Sequence, residues 1–378
     1  MSPRFALRKS TPRVHILFLF SDVNSSPLLL QIVKNVQCSG YSFRVVIIGG
    51  KELEIYKDLK QLDIIPILIS KRSKYGLVWM LASVARNFIF FRPEISLASG
   101  QYATILGMLS GHMLRVRRRI FIRHHSNFHT KNRMWFGRLA DLTANYLSTE
   151  IVAVSEVVKE VLLKSERVDP SKVILIHNGI DTEKFTGTGI LKEKPSFTKN
   201  SEIVVGVVSR MTGWKGIQHT VDAFVMLLSR FPNAHLNLVG APSDSYGLIK
   251  DKLEGLDSSA YTITSWNPDI FGFLQKLDIF VHVPIGSQDE AFGLVYIESL
   301  ASGVSCIFTI SGVLHELPNP EEYAEIVPYE DSLSIFNAMV KILDSSAPKM
   351  ESLPQDWLQQ YSLESMGKRY MQLLIGVS

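Results

Sequence analysis

Glu290-Ala-Phe-Gly293-Leu-Val-Tyr-Ile-Glu298-Ser-Leu-Ala-Ser-Gly303-Val-Ser-Cys-Ile-Phe308 reads as a loop, a helix and a strand in succession. Phe292-Gly293 opens the helix, and Glu298 falls roughly two turns into it. Gly303 just past the last helical position is a stop signal. The apolar run Val304–Ile310 behind it reads as a buried strand. Upstream, Ile279-Phe-Val-His-Val283 supplies the preceding strand, so the whole is one βαβ unit.

The same alternation extends outward in both directions. Towards the N-terminus of this half lie strands at Ile203–Val208, Ala234–Val239 and Tyr261–Thr264. The helices Gly216–Phe231, Tyr246–Leu253 and Ile270–Leu277 lie between or after them. Ile217, Val221, Phe224 and Leu228 give the first of these an apolar stripe at helical spacing. Ser332–Leu343 reads as a further helix, and Gln355–Leu374 as one or two amphipathic helices. The first half shows strands at Val14–Phe20, Phe43–Ile48, Ile64–Ile69, Ile95–Ala98, Ile120–Ile122, Ile151–Val154 and Val173–Ile176. Pro66 predicts an edge position for the Ile64–Ile69 strand. Helices are expected at Leu28–Gln37, Gly76–Phe91, Thr104–Gly111 and from Glu156 to about Leu163.

These patterns predict an α/β protein of two Rossmann-like, doubly wound domains facing a central cleft. Residues 1–184 form the first domain and 202–350 the second. The polar stretch 185–201, with Gly187, Gly189 and Pro195, is the linker. Residues 351–378 are a helical tail that has the option of packing back on the first domain. In such sheets ligands bind at the carboxyl ends of the strands, so the cleft is the expected site.

The chain has 378 residues, too many for one comfortable core. An apolar share of 46% and a charged share of 20% are those of a globular protein. Its two cysteines, Cys38 and Cys306, are far apart, which argues against a disulfide framework and fits a reducing compartment. Arg4, Arg8, Lys9 and Arg13 precede Val14–Phe20 in the charge order of a signal peptide. That apolar run is short, contains His15 and meets Ser21-Asp22, so it reads as a first buried strand. No apolar stretch reaches the ~18 residues of a membrane span. Net charge is only +4, but Arg115, Arg117, Arg118, Arg119, Arg123, Lys131, Arg133 and Arg138 crowd one region. Such a cluster suits phosphate groups or anionic lipid, or is a solvated helix end and loop.

Chemistry concentrates at two strand ends. In Val207-Val208-Ser209-Arg210-Met-Thr-Gly213-Trp214-Lys215-Gly216, a buried strand ends, two cations follow and a helix begins. Helix-start N–H groups favour anions. Arg210 offers a planar fork and Lys215 a mobile point charge. The segment matches neither the phosphate-binding loop nor the dinucleotide pattern. At the other strand end, a carboxylate at Glu290 can accept from sugar hydroxyls and one at Glu298 from a ribose. Gly293 lets the backbone approach a ligand. Each feature alone also reads as an ordinary surface residue.

Together the motifs resemble the family 4 retaining glycosyltransferases of GT-B fold (glycosyltransferase group 1). The resemblance is carried by Arg210 with Lys215, Glu290-x7-Glu298, Ala301-Ser302-Gly303-Val304 and Ser311-Gly312-x3-Glu316. His177-Asn-Gly-Ile-Asp181 resembles the interdomain signature of that family. The resemblance implies a nucleotide-diphosphate sugar as donor, held mainly by the second domain, and an acceptor held mainly by the first. It implies metal-independent transfer with retention. The expected reaction moves a hexose-type sugar to a saccharide or lipid-linked saccharide in cell-surface polysaccharide assembly, the lipid link following from the apolar Gly76–Phe91 helix and the arginine-rich region. Carried over, Arg210, Lys215 and Gly216 go to the diphosphate and Glu290, Phe292 and Gly293 to the sugar. Glu298 goes to the ribose, and Glu316 belongs to the donor set. His124, or secondly His125, stands near the donor sugar, so Glu290, His124, Arg210 and Lys215 are the implied catalytic group. Base contacts are expected near 240–243 and 265–266. One departure is Ser21-Asp22-Val-Asn24-Ser25-Ser26-Pro27, where the family often has a glycine pair.

No cofactor or metal is expected, since His124, His125 and His129 lack a nearby acidic partner in sequence and a standard spacing. No nucleic acid is expected as partner. The apolar Gly76–Phe91 helix and the arginine-rich region suggest an anionic membrane surface, with the protein cytoplasmic or peripheral on the inner face. Gly76–Phe91 also reads as a core helix of the first sheet. Other readings are a nucleotide-sugar epimerase of the same fold and a non-catalytic nucleotide-sugar-binding scaffold. A glycosidase carboxylate pair sits poorly beside the basic loop. A dehydrogenase lacks its glycine fingerprint.

Overall fold

A computed structural model describes residues 14–24, 26–71, 76–127, 134–186, 198, 201–344 and 353–376. Most of the expected linker, the basic residues at positions 4, 8, 9 and 13, and His129, Lys131 and Arg133 lie outside the described residues.

The apolar runs of the first half become seven strands: β1 (His15–Ser21), β2 (Ser42–Ile48), β3 (Ile67–Ile69), β4 (Ile95–Ser99), β5 (Arg118–Arg123), β6 (Glu150–Ala153) and β7 (Val173–Leu175). They form one sheet in the order β3-β2-β1-β4-β5-β6-β7, with every pair parallel. The second half gives β8 (Val204–Val208), β9 (His235–Val239), β10 (Tyr261–Thr264), β11 (Ile279–His282), β12 (Ser305–Phe308) and β13 (Glu325–Ile326). These form a second parallel sheet in the order β10-β9-β8-β11-β12-β13. Helices cover such sheets on both faces, which is why Ile16, Leu17, Phe18 and Leu19 are all fully buried despite being consecutive. Strand β3 lies at the sheet edge, where Pro66 puts it. Strand order reverses between β1 and β4, and again between β8 and β11. Each reversal opens a crevice at the carboxyl edge.

The expected helices form, with ends shifted by a few residues. The helices Glu54–Gln61 and Trp135–Leu147 and the short edge strand β13 fall outside the sequence expectation. Helix Gly76–Phe91 buries only Met80, Val84 and Phe88, so it covers the sheet with one narrow stripe. Among the described residues no helix is long and apolar enough to cross a membrane.

The tail returns to the first domain. Helix Leu363–Ile375 packs on helix Pro27–Cys38, with Gly367 set against Asn35. Ile180 pairs with Ser362 in an isolated parallel bridge. There the Ile180 N–H donates to Tyr361 at 2.8 Å and the Leu363 N–H to Ile180 at 2.9 Å. One buried apolar cluster therefore runs from the first sheet through the joint to Phe292, Tyr296 and Tyr361.

Much of the arginine cluster is engaged inside the protein. Arg118 forms a forked pair with Glu150 and donates to the carbonyls of Leu373 (2.7 Å) and Leu374 (3.2 Å). These are orphan acceptors at a helix C-terminus, where a cation is favoured. Arg119 donates to Leu147 and Val116. Arg123 is buried against Glu166 and Asp141. Arg118→Ala is expected to lower folding stability by about 1–3 kcal/mol, read as a lower urea midpoint. An unchanged midpoint would show the anchor to be idle.

Candidate active site

Strand β8 ends at Val208 and hands the chain to a loop, then to the single 3₁₀ turn Gly213–Lys215 and the helix Ile217–Arg230. Gly216 joins turn to helix with φ of 71°. A Cβ there would stand 1.9 Å from the carbonyl oxygen of Val283. Only glycine allows the β8 and β11 ends to approach this closely. No side chain caps this helix start. Lys215 is buried, Arg210 is exposed, and Trp214 lies between them. The Trp214 ring is 4.4 Å from Lys215 Nζ and 5.9 Å from the Arg210 guanidinium carbon.

Lys215 ion-pairs with Glu290, and the same Glu290 oxygen is 3.1 Å from His282 Nε2. Burial alone would push the Glu290 carboxyl up, but the Lys215 charge and the His282 hydrogen bond hold it at about 2. Burial and then the Lys215 charge depress the His282 imidazole, against the pull of Glu290. A neutral His282 donating from Nε2 follows, its ring edge-on to Tyr296 at 4.7 Å.

The Glu290 loop is held from beneath by the serine-glycine motif. Ser311 Oγ accepts the Glu290 N–H at 3.0 Å and donates to Gly286 at 2.9 Å. Gly312, at φ 56°, lies against the Phe292 carbonyl, where a Cβ would clash at 2.4 Å. Gly293, at φ 81°, begins the helix Leu294–Ser302. The Phe292 ring is buried at the joint, 6.0 Å from Tyr361, so only its backbone belongs to the Glu290 loop. Glu298 is half-buried on that helix. Burial pushes its carboxyl up to about 7, with only Lys184 opposing.

Glu316, expected in the donor set, has both carboxylate oxygens engaged, by the Glu156 N–H at 2.9 Å and by His177 Nε2 at 2.6 Å. The structure puts it at the joint between the domains, because the turn Gly312–Glu316 carries it under the Glu290 loop towards the interdomain signature. Ser155 Oγ, donating to the Ala291 carbonyl, adds to this clasp.

The first domain faces Glu290 with the ends of β1, β4 and β5. Gly100, φ 92°, would drive a Cβ to 2.0 Å from the Ser21 carbonyl oxygen. His124 follows β5, with Nε2 3.0 Å from Ser99 Oγ. Its ring still meets solvent in the cleft, yet the surrounding protein and then His125 push its pKa below the usual imidazole value. His124 is thus neutral at pH 7. His125 pairs with Asp141 at 3.0 Å on the cleft wall. Where the glycine pair is missing, Asp22 takes φ 59° and pairs with Lys71. Burial would raise the Asp22 carboxyl, but Lys71, Ser21 and the Tyr102 N–H hold it low.

Between these walls lies a cleft of about 440 Å³. It brings together Arg210, Lys215, Glu290 and His124, and adds Gln101, Thr104, Asp141 and Trp214. Gly216, Phe292, Gly293 and Glu298 are not among its lining residues, and neither is Glu316. Across one rim Ser126 Oγ donates to the Gln288 carbonyl and Asn127 Nδ2 to its side-chain oxygen at 3.1 Å. His282 had no signal in sequence beyond a histidine inside an apolar strand. Asp141 had none, because its helix was not expected. Among the described residues no group of three histidine, cysteine or acidic side chains could hold a metal.

Two Rossmann-like domains facing one cleft, with cations, carboxylates and a histidine on its walls, make up the GT-B fold. Residues 29–184 match the model described as Glycosyltransferase Family 4, and residues 202–345 match Glycosyl transferases group 1. The chain belongs to these glycosyltransferases. It is similar to the capsular polysaccharide biosynthesis glycosyltransferase CapM of Staphylococcus aureus, at 24% identity over 88% of each chain. It is also similar to a UDP-Gal:alpha-D-GlcNAc-diphosphoundecaprenol alpha-1,3-galactosyltransferase of Escherichia coli, at 25% identity over 54% of each. Among solved structures, Anabaena HepE in complex with UDP and glucose superimposes with a TM-score of 0.78. The identity is 18%, over 96% of this chain and 100% of the other.

Proposed function

We propose that the chain transfers a hexose-type sugar, with retention and without a metal, from a nucleotide-diphosphate donor to a saccharide or lipid-linked saccharide in cell-surface polysaccharide assembly. It does so in the cytoplasm or at the inner face of a membrane. The observation that carries this reading is the Lys215–Glu290–His282 cluster beside Arg210, facing neutral His124 across the cleft. The donor diphosphate accepts from Arg210 and from Lys215, which exchanges part of its pairing with Glu290 for the phosphate. Charge that grows on the leaving diphosphate is met by cations already in place. Glu290, kept ionised, orients the sugar hydroxyls. The acceptor hydroxyl attacks from the face the phosphate leaves, and the phosphate takes its proton. Domain closure excludes the water that would hydrolyse the donor. UDP in the HepE complex and UDP-galactose in the name of the E. coli relative favour a uridine donor.

The test is a thermal-shift screen with UDP, GDP and ADP, followed by assay of the matching sugars with EDTA present. UDP is expected to raise the melting temperature, and turnover to yield a product of unchanged anomeric configuration. Inverted product, or loss of turnover to EDTA, would overturn the mechanism. Conversion of the donor to an epimer without transfer would assign the chain to the epimerases. Absence of any donor hydrolysis or transfer would favour the scaffold reading.

A further inference from the structure

The helix Trp135–Leu147 is built inside out. Its buried positions are Gly137, Ala144, Asn145 and Leu147, mostly small or polar. Its large apolar side chains face solvent: Trp135 is 63% exposed, Phe136 69% and Tyr146 80%, with Leu139 and Leu142 exposed between them. A surface helix of a globular protein does the reverse. Positions 135, 139, 142 and 146 recur at helical spacing, so these side chains form one continuous stripe. A contiguous apolar stripe of this kind marks an interaction surface.

The charge beside the stripe is positive. Arg138 is exposed on the same helix, and Arg167 joins it and Leu142 along one groove. Glu166, in the same groove, is held by Arg123 and Asn145. Asp141, the acidic residue of the helix, turns inward to Arg123 and His125. A second copy docked on this face would bring like charge onto like charge across a twofold axis. An anionic bilayer satisfies both chemistries, with acyl chains for the rings and headgroups for the arginines. Another edge of the same helix is part of the active site, since Ala140, Asp141 and Ala144 line the cleft opposite Glu290.

We infer that helix Trp135–Leu147 seats the protein on an anionic membrane surface, so that an acceptor anchored in the bilayer enters the cleft along this helix. The entry of an acceptor rests on the transfer reading above; the docking does not. The full chain is to be sedimented with vesicles of equal parts phosphatidylglycerol and phosphatidylcholine, and with phosphatidylcholine alone. Wild-type protein is expected to bind the anionic vesicles and release in high salt. Combined Trp135→Ser, Phe136→Ser and Leu139→Ser is expected to weaken that binding about tenfold or more, with vesicle-free donor hydrolysis unchanged. Tyr146→Ser alone, about two turns further along the same stripe, provides the same readout should the triple variant melt early. Wild-type protein left in the supernatant, or both variants sedimenting like wild type, overturns the proposal. A concentration-dependent dimer that the triple variant abolishes overturns it in favour of a second copy. Vesicle binding lost in the variants, without turnover of any nucleotide sugar by wild type, leaves the docking standing and removes the transfer reading.

Discussion

Lys215→Ala is expected to lower kcat by ~10²–10³ while the protein stays folded. The side chain removed is a buried ammonium held between Glu290 and the Trp214 ring. Its loss leaves Glu290 with His282 as its remaining partner of the cluster, and burial then drives that carboxyl up from about 2. Glu290 can answer by taking a proton, which limits the folding cost below the ~3–5 kcal/mol of an uncompensated buried charge. Catalysis has no such escape, because the leaving diphosphate keeps only Arg210, which is exposed and solvated. Lys215→Arg restores charge but puts a bulkier planar head into the buried site, so partial recovery is expected. Glu290→Gln keeps shape and loses charge. The two changes act on one ion pair, so combining them is expected to cost less than their sum. Single-turnover rates beside thermal melts provide the measurement. A Lys215→Ala protein within threefold of wild-type kcat would remove this cluster from the mechanism.

Glu298→Gln is expected to strengthen the fold and weaken the donor. The folded carboxyl titrates at about 7 against an ordinary 4.5, because burial disfavours its charge. The folded state therefore holds a proton that the unfolded chain has lost. Stability from this site is greatest below pH 4.5, declines as pH rises and reaches its full deficit above 7. Removing the charge relieves about 1–3 kcal/mol at pH 8 and nothing at pH 4. Urea midpoints at the two pH values decide this, and equal shifts at both would refute it. If Glu298 accepts the ribose hydroxyls, the same change costs a charge-assisted hydrogen bond, and donor KM rises about 10–100-fold. Wild-type KM should then rise as pH falls through 7, and the variant should be flat.

Both parallel sheets were legible from the sequence because a strand covered on two faces must be apolar throughout, and such runs stand out between polar turns. The strand ends that carry Arg210, Lys215 and Glu290 were legible for the same reason, and the structure brings these three side chains to one cleft. The place of Glu316 was not legible, since its motif spacing says nothing about which domain the side chain reaches. It reaches His177, far away in sequence but adjacent across the joint. Helix Trp135–Leu147 escaped although its spacing is helical. Periodicity identifies an apolar face without saying whether that face turns inward. Membrane contact was also expected at Gly76–Phe91, whose Val78 and Phe90 are exposed, and at the arginine run, in which Arg118, Arg119 and Arg123 are internal fasteners.

The Ile180–Ser362 bridge has a mechanical meaning. The chain leaves the first domain beside Ile180 and comes home beside Ser362, so its outward and homeward passages lie shoulder to shoulder. A domain tied by one thread tumbles on a leash. A domain tied by two neighbouring threads swings like a door on paired pins. Two neighbouring crossings favour rotation about the bridge over sliding of one wall past the other. The gap between Glu290 and His124 widens only if the Ser126 and Asn127 bonds to Gln288 at its rim part.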